Sequence, residues 1–190
     1  MKQIPISEVE PSTFGNDIDR RGLSEPLGTT DVAVNHYRIT SGEGLPGGIH
    51  AHMDQEEVFV IVNGEAIFET MDAKIVVGAG EAIRFAPGEF QSGKNNSDDE
   101  LVMFAMGAPR DTEDVRIPIE CLDCGHDDLR LSTGGTDLTF VCPDCGAEYV
   151  PQACPECGSD DMRITLDKNT QTIVVCHVCD AEFEYPPLRS

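Results

Sequence analysis

This sequence contains no tryptophan, and it has no cysteine before residue 121 of its 190 residues. It also lacks long apolar runs, since no stretch approaches the ~20 residues that a membrane-spanning helix needs. The first residues, MKQIPISEVEPSTFGND, contain no apolar segment of the kind that marks a secretory signal. We therefore expect a cytoplasmic protein without a membrane segment.

Positive charge is scarce. Thirteen Lys and Arg residues stand against 35 Asp and Glu residues, which gives a net charge of −22, and lysine occurs only at positions 2, 74, 94 and 168. Such a surface repels itself in dilute buffer, whereas molar salt reduces the screening length to ~3 Å. The composition favours the salt-rich cytosol of a halophile over an ordinary acidic protein that charge keeps soluble.

All eight cysteines belong to CxxC pairs, and the pairs form a repeat. Residues 121–132 align with residues 154–165 at a shift of 33, and the later pairs align at a shift of 34. A fixed period indicates a duplicated structural unit. We predict an N-terminal extension at 1–30, a β-barrel at 31–110, and two small modules at 119–150 and 151–190.

Two CxxC turns together supply the four thiolates of a tetrahedral structural zinc site. The spacers of 17 and 18 residues between paired turns are long enough for a hairpin that brings the turns together. Residues 119–186 resemble a tandem pair of zinc ribbons. The resemblance implies two structural zinc ions, one on Cys121, Cys124, Cys142 and Cys145 and one on Cys154, Cys157, Cys176 and Cys179.

Other interpretations of the cysteine pairs are weaker. The repeat favours sequential over crossed pairing because each unit is then self-sufficient, and a thioredoxin-like role would need a βαβ context. His126 and His177 stand beside cysteines, but four thiolates already complete each site, so we predict surface positions for both.

Residues 119–190 contain fourteen acidic and four basic side chains. They offer no basic stripe for nucleic acid, which leaves a structural or protein-contacting role.

The first half predicts an all-β domain, because its strand candidates are short, closely spaced and separated by Gly and Pro. They lie at 31–40, 57–62, 65–69, 73–77, 81–86 and 100–106. Asn63-Gly64 predicts a type I′ hairpin, and 24–28 predicts a turn. The expected core includes Phe59, Ile61, Phe68, Phe85 and Phe104.

A histidine-rich segment stands before the second of these strands. His50 and His52 are two residues apart, so on an extended chain both imidazoles face the same side. Glu57 rejoins that side through a turn at 53–55, for which Asp54 is suited. Two imidazoles and one carboxylate form a facial metal site that leaves positions open for a substrate or dioxygen.

The spacing G-x5-H-x-H-x4-E-x6-G from Gly44 to Gly64 resembles the first motif of the cupin family. Residues 80–95 keep the frame of the second motif, G-x6-P-G-x2-H-x3-N, but have Gln91 at the histidine position. The whole chain is similar to haloarchaeal cupins with C-terminal CxxC pairs. The resemblance implies a jelly-roll barrel that holds one divalent ion (Fe, Mn, Ni or Zn) on His50, His52, Glu57 and Gln91.

The Gln91 exchange leaves several outcomes open. The amide oxygen coordinates the ion, or the amide hydrogen-bonds a metal-bound water, or the site has three ligands only. Loss of the metal is the remaining alternative, but an unpaired Glu57 inside a barrel would be costly, which favours retention.

Further positions are candidates for the barrel. Glu56 is expected to face outward beside Glu57. Either His36 or Tyr37 should face inward. Arg38 and Arg84 are rare cations: a barrel-lining arginine would bind a substrate carboxylate, although surface ion pairing is the commoner fate.

These residues predict a metal-dependent enzyme, an oxygenase or an isomerase, for a small polar organic molecule. The alternative is a non-enzymatic sensor of a metabolite or metal whose zinc ribbons contact a protein partner. Pairing of two barrels through a sheet edge is a further option that the resemblance implies.

The charge makes a testable prediction about salt. The melting temperature should rise steadily between ~0.1 M and ~2 M KCl, because screening removes self-repulsion. Thermal unfolding followed by circular dichroism measures this. A melting temperature that is flat or falling over that range would contradict the halophilic interpretation.

Overall fold

The computed structural model describes residues 1–12, 18–133, 138–168 and 170–189. Its helical segments are a 3-10 turn at Ile6–Glu8 and a helix, α1, at Ser24–Leu27. The turn predicted at 24–28 is thus one turn of helix, which Gly28 ends in the left-handed region at φ 69°. No helix within these described ranges has the length and apolarity to cross a membrane.

The remaining secondary-structure elements of these ranges are strands. In the described ranges they are β1 Asp19–Gly22, β2 Ala33–Ile39, β3 Ala51–His52, β4 Glu56–Asn63, β5 Glu65–Thr70, β6 Lys74–Gly78, β7 Ala82–Phe85, β8 Gln91–Lys94, β9 Leu101–Ala108, β10 Val115–Ile117, β11 Leu129–Ser132, β12 Thr139–Val141, β13 Glu148–Pro151, β14 Met162–Leu166, β15 Thr172–Cys176, β16 Glu182–Phe183 and β17 Leu188–Arg189.

Two antiparallel sheets form the N-terminal barrel. One has the strand order β1-β2-β9-β4-β7 and the other the order β6-β5-β8. Side chains from both sheets alternate inward and form a shared core, which includes Ile39, Phe59, Ile61, Phe68, Leu101 and Met103. This arrangement confirms the predicted all-β jelly roll.

Asn63 and Gly64 form a corner between the two sheets. β4 pairs with β7 and β9, whereas β5 pairs with β6 and β8, so the predicted type I′ hairpin is wrong. Gly64 has φ 79°, and a β-carbon there would lie 2.8 Å from the carbonyl oxygen of Glu100. Glycine is needed here because the backbone passes another strand closely as it changes sheet.

The predicted aromatic and aliphatic core is confirmed at Phe59, Ile61, Phe68 and Phe85. The prediction for Phe104 is wrong. Alternation along β9 turns Met103 and Ala105 inward, which places Phe104 on the other face, where its ring lies 5.2 Å from that of His36.

The cysteine-rich half contains two small antiparallel sheets, which we call the first and second cysteine modules. The first module carries Cys121 to Cys145 on the sheet β17-β13-β12-β11-β10-β3, and the second carries Cys154 to Cys179 on β14-β15-β16. Both contribute to a second core, whose members include Ile49, Ile117, Leu129, Phe140, Ile164 and Val174. The β-hairpin arrangement agrees with the predicted fold class.

Strands outside the predicted barrel also take part in its sheets. β1, within the predicted extension, pairs along its full length with β2. β10, between barrel and modules, pairs with β3 on one side and β11 on the other. The barrel and the first cysteine module therefore share a continuous sheet, and the domain boundaries remain a prediction.

Candidate functional site

The two histidines lie on the segment Gly48–Met53, which we call the ligand strand. The His50 and His52 rings face the barrel cavity with centroids 5.1 Å apart. The residues that alternate with them, Ile49 and Ala51, are 0% and 1% exposed on the opposite face. The predicted alternation is therefore present, and bends at Met53 and Asp54 lead to β4.

Each imidazole is fixed by a hydrogen bond through Nδ1. His50 Nδ1 lies 2.9 Å from the carbonyl oxygen of Gly48, which can only accept, so Nδ1 carries the proton. His52 Nδ1 lies 3.2 Å from Thr112 Oγ1. In the neutral imidazole this tautomer presents an unprotonated Nε2, which is the form that binds a metal.

A short relay orients His52. The Thr112 hydroxyl donates to Asp54 Oδ1 at 2.5 Å, so its oxygen accepts from His52. Asp54 Oδ2 also accepts the backbone N–H of Glu113 at 2.8 Å. Desolvation raises the pKa of Asp54, but the hydrogen bonds from Thr112 and Glu113, together with its own backbone amide and the nearby His52, lower the pKa below its ordinary value. The carboxylate stays charged and holds Thr112 in the accepting orientation.

Glu57 completes the cluster from the start of β4. Its Oε1 lies 3.6 Å from His52 Nε2, and one ligand atom from each of His50, His52 and Glu57 lies within 4.8 Å of the others. Burial lowers the pKa of His52 by more than the charge of Glu57 raises it. A neutral imidazole beside a carboxylate fits a divalent cation.

Gln91 lies beside this cluster with 2% of its surface exposed. Its Nε2 donates to Glu57 Oε2 at 2.9 Å, so the amide positions the carboxylate. Its Oε1 is buried and has no hydrogen-bond partner among the described residues, an arrangement that costs roughly 1–3 kcal/mol if nothing occupies the cavity. The orphaned oxygen fits a site that holds a further group; whether that oxygen coordinates a metal stays a prediction.

The cluster lines a cavity of about 430 Å³ that also contains two arginines, Arg20 and Arg110. Arg20 comes from β1 and donates to Asn35 at 3.0 Å. Arg110 donates to the Thr29 carbonyl at 2.6 Å and pairs with the exposed Glu25. Two cations thus line one cavity in a chain of net charge −22, and one of them, Arg110, is paired with Glu25.

Three of the residues that line the cavity were not predicted from the sequence: Arg20, Arg110 and Thr112. Arg20 lies in the predicted N-terminal extension, Arg110 is the last residue of the predicted barrel, and Thr112 lies between the barrel and the first module. One signal was available for Arg20: in Ile18-Asp19-Arg20-Arg21, strand alternation places Arg20 on the same face as the buried Ile18.

The other candidate arginines lie on the surface. Arg38 pairs with Glu100 and Arg84 pairs with Glu56, each at 2.6 Å. Their side chains are about half exposed. This confirms the expectation that Glu56 faces outward. Arg38 and Arg84 both form surface ion pairs, as expected for the commoner case.

Tyr37, and not His36, faces the cavity. Burial raises the pKa of Tyr37, and Arg20 lowers it by a smaller amount. The hydroxyl is therefore protonated at neutral pH. His36 lies on the other face, where burial lowers the pKa of its imidazole.

The eight cysteines converge in two clusters, each with the predicted sequential pairing. Sulfur–sulfur distances are 3.7 Å for Cys121–Cys145 and 3.6 Å for Cys124–Cys142. In the second module Cys154–Cys179 and Cys157–Cys176 measure 3.8 and 3.5 Å. Four thiolates at ~2.3 Å from a zinc ion are separated by about 3.8 Å, so both clusters could hold one.

All four cysteine turns have the same backbone. In each, the N–H of the residue after the second cysteine donates to the carbonyl of the first, as in Gly125 to Cys121 and Asp180 to Cys176. That residue has positive φ: 75–76° at the three glycines and 58° at Asp180. The fourth turn therefore tolerates aspartate in the left-handed region.

The histidines beside the cysteines stay outside the clusters. His126 is 36% exposed with Asp128 3.5 Å away, and His177 is 39% exposed with Asp161 3.4 Å away. Tyr149 Oη instead lies 3.3 Å from Cys121 Sγ. That hydrogen bond lowers the pKa of the Cys121 thiol to about 6, which favours the thiolate.

Comparison with known proteins agrees with this geometry. Residues 35–107 match the family model of the cupin domain, so the barrel of this chain is a cupin domain. No curated protein gave a significant match.

Several solved structures share the fold. A sugar phosphate isomerase of the cupin superfamily from Silicibacter pomeroyi is 17% identical with a TM-score of 0.58, covering 76% of this chain and 94% of that one. A predicted oxalate decarboxylase from Thermotoga maritima is 19% identical with a TM-score of 0.51, covering 56% and 98%. A double-stranded β-helix protein from Klebsiella pneumoniae is 17% identical with a TM-score of 0.50, covering 60% and 94%. At these identities the likeness shows the fold alone.

The Asp54–Thr112–His52 relay is testable by Thr112→Val. The change removes the hydroxyl that accepts from His52 and should lower the affinity of the cavity for Mn²⁺ by ~10- to ~100-fold, the usual effect of losing such a partner. Titration followed by Mn²⁺ electron paramagnetic resonance measures it. Thr40→Val, at an exposed position that does not line the cavity, is the control; equal affinities in both variants would refute the role of the relay.

Proposed function

We propose that this chain is a metal-dependent cupin that acts on a small anionic organic substrate. The convergence of His50, His52 and Glu57 within 4.8 Å at the wall of the cavity carries the proposal. Two Nε2 lone pairs and a carboxylate oxygen form the facial set that leaves positions open on a divalent ion such as Fe, Mn, Ni or Zn.

The bound ion would supply Lewis acidity to an oxygen of the substrate. The residues of the chain have separate tasks. The His50 and His52 rings are held by Gly48 and Thr112, so they need no rearrangement to bind. Gln91 holds one oxygen of Glu57 and presents its own Oε1 to the cavity.

The substrate class follows from the charge of the cavity. Arg20 and Arg110 line the same cavity as the ligand cluster, and a divalent ion with Glu57 adds a further net charge of about +1. Carboxylate and phosphate are the groups that arginine binds best. Tyr37 keeps a proton in the cavity because burial raises its pKa. Isomerisation and oxygenation both remain compatible with these groups.

Metal content tests the first part of the proposal. Protein purified without chelators should contain about two zinc ions, in the cysteine modules, and about one other divalent ion. The double variant His50→Ala/His52→Ala should lose that last ion and keep the zinc, as measured by elemental analysis. A double variant with unchanged metal content would exclude the barrel site.

Anion binding tests the second part. Arg20→Gln should weaken the binding of malonate and of inorganic phosphate by roughly tenfold or more, the expected loss for one hydrogen bond to a charged group. Isothermal titration calorimetry gives the dissociation constants. Arg38→Gln removes an equal charge from a surface ion pair outside the cavity, and matching constants in the two variants would show that Arg20 does not recognise the anion.

A second candidate function is an adaptor in which the cysteine modules contact a protein partner. Its candidate contact residues are two apolar side chains at the tips of cysteine turns, Leu122 and Val178, which are 60% and 65% exposed. Metal-dependent turnover of an anionic substrate would support the enzyme. Ligand-dependent thermal stabilisation without turnover, together with a co-purifying protein, would support the adaptor.

A further inference from the structure

The ligand strand lies between the barrel and the two cysteine modules and bonds to all three. On the barrel side, His50 and Gln91 exchange both backbone hydrogen bonds, at 3.1 and 2.9 Å. On the other face, the buried Ile49 belongs to the second core, which the modules build. The segment that presents both imidazoles is thus also part of the packing of the modules.

The first cysteine module continues the ligand strand as a sheet. In β10, Arg116 pairs with Ala51 and Val115 pairs with His52. The N–H of Met53 donates to the carbonyl of Asp114 at 2.8 Å. β10 in turn pairs with β11 of the module, so the position of His52 depends on that sheet.

The second cysteine module holds the other end. The N–H of Ile49 donates to the carbonyl of Ile164 in β14 at 3.0 Å. The approach is so close that a β-carbon on Gly48 would lie 2.4 Å from that carbonyl oxygen. β14 pairs with β15, where Met162 stands opposite Cys176 of the second cluster. A single strand pair therefore separates the second cysteine cluster from the segment that carries His50.

We propose that the two cysteine modules are positioning elements for the barrel site: with zinc bound, they keep the ligand strand in the conformation that presents His50 and His52. This inference rests on the proposed metal site of the barrel. Without folded modules, the amide of Ile49 loses its acceptor and its side chain loses its core. The segment of Asp114 and β10, which holds Met53, loses its partner strand β11. If the ligand strand then adopts the binding conformation about a tenth of the time, the apparent dissociation constant of the barrel site for its metal ion rises ~tenfold.

The experiment removes zinc from the second module of the full chain. Cys157→Ser/Cys179→Ser exchanges the two exposed cysteines of that cluster and leaves its buried pair in place. Glu156→Ser/Val178→Ser changes the exposed residue beside each of those cysteines and is the matched control. We measure zinc content, Mn²⁺ affinity, and amide hydrogen exchange by nuclear magnetic resonance.

We expect the cysteine variant to keep about one zinc ion, to bind Mn²⁺ ~tenfold or more weakly, and to exchange the Ile49 amide faster than the control does. Unchanged Mn²⁺ affinity and unchanged Ile49 exchange after loss of the zinc would overturn the inference. Failure of the unaltered protein to bind Mn²⁺ would instead count against the proposed barrel site, and the exchange rate of Ile49 would still decide whether the module holds the strand.

A second pair of variants leaves the cysteines untouched. Ile49→Ala removes the contact of the ligand strand with the second core, and Ile39→Ala makes the same truncation in the barrel core; both side chains are 0% exposed. Both truncations should lower the melting temperature, because each leaves a cavity in a packed core. Only Ile49→Ala should weaken Mn²⁺ binding by ~tenfold. An equal loss of Mn²⁺ affinity in both variants would show that lower stability alone weakens binding, which would count against the inference.

Discussion

The structure depends on the two-residue alternation of the ligand strand. Because successive side chains point to opposite faces of an extended chain, the imidazoles of His50 and His52 enter the barrel while Ile49 and Ala51 are buried on the other side. A shift of one residue would exchange the two sets. One stretch of backbone thus serves both the candidate metal site and the packing of the modules.

Charge is distributed in a way that agrees with the proposed chemistry. The chain is strongly acidic, and several of its few cations form ion pairs or reach the cavity. Lys74 and Lys94 both contact the buried Glu69, at 2.7 and 3.1 Å, and with these partners its pKa lies below 4.5 although burial raises it. Arg20 and Arg110 line the cavity. With the proposed divalent ion on Glu57, an anionic ligand would meet these guanidinium groups inside the barrel.

The location of the cysteine modules supports the proposed positioning role. Their acidic composition disfavours nucleic acid as a partner. The sheet of the first module is continuous with the ligand strand through the pairing of β10 with β3. A metal site with two of its ligands on the short segment Gly48–Met53 needs support from its surroundings, because a loosely held ligand reduces affinity. The modules supply backbone acceptors and an apolar core to the segment that most needs them.

The sequence alone determined the local chemistry: the ligand spacing from His50 to Glu57, the four CxxC turns, and the strands with their Gly and Pro boundaries. Those features depend on neighbours along the chain, so their pattern is visible without a fold. Only the tertiary structure decided that Asn63-Gly64 joins different sheets and that Phe104 faces outward. It also brought Arg20 of β1 and Thr112 of the connection between β9 and β10 to the cavity, because those contacts join segments far apart in sequence, and no local pattern encodes where such segments meet.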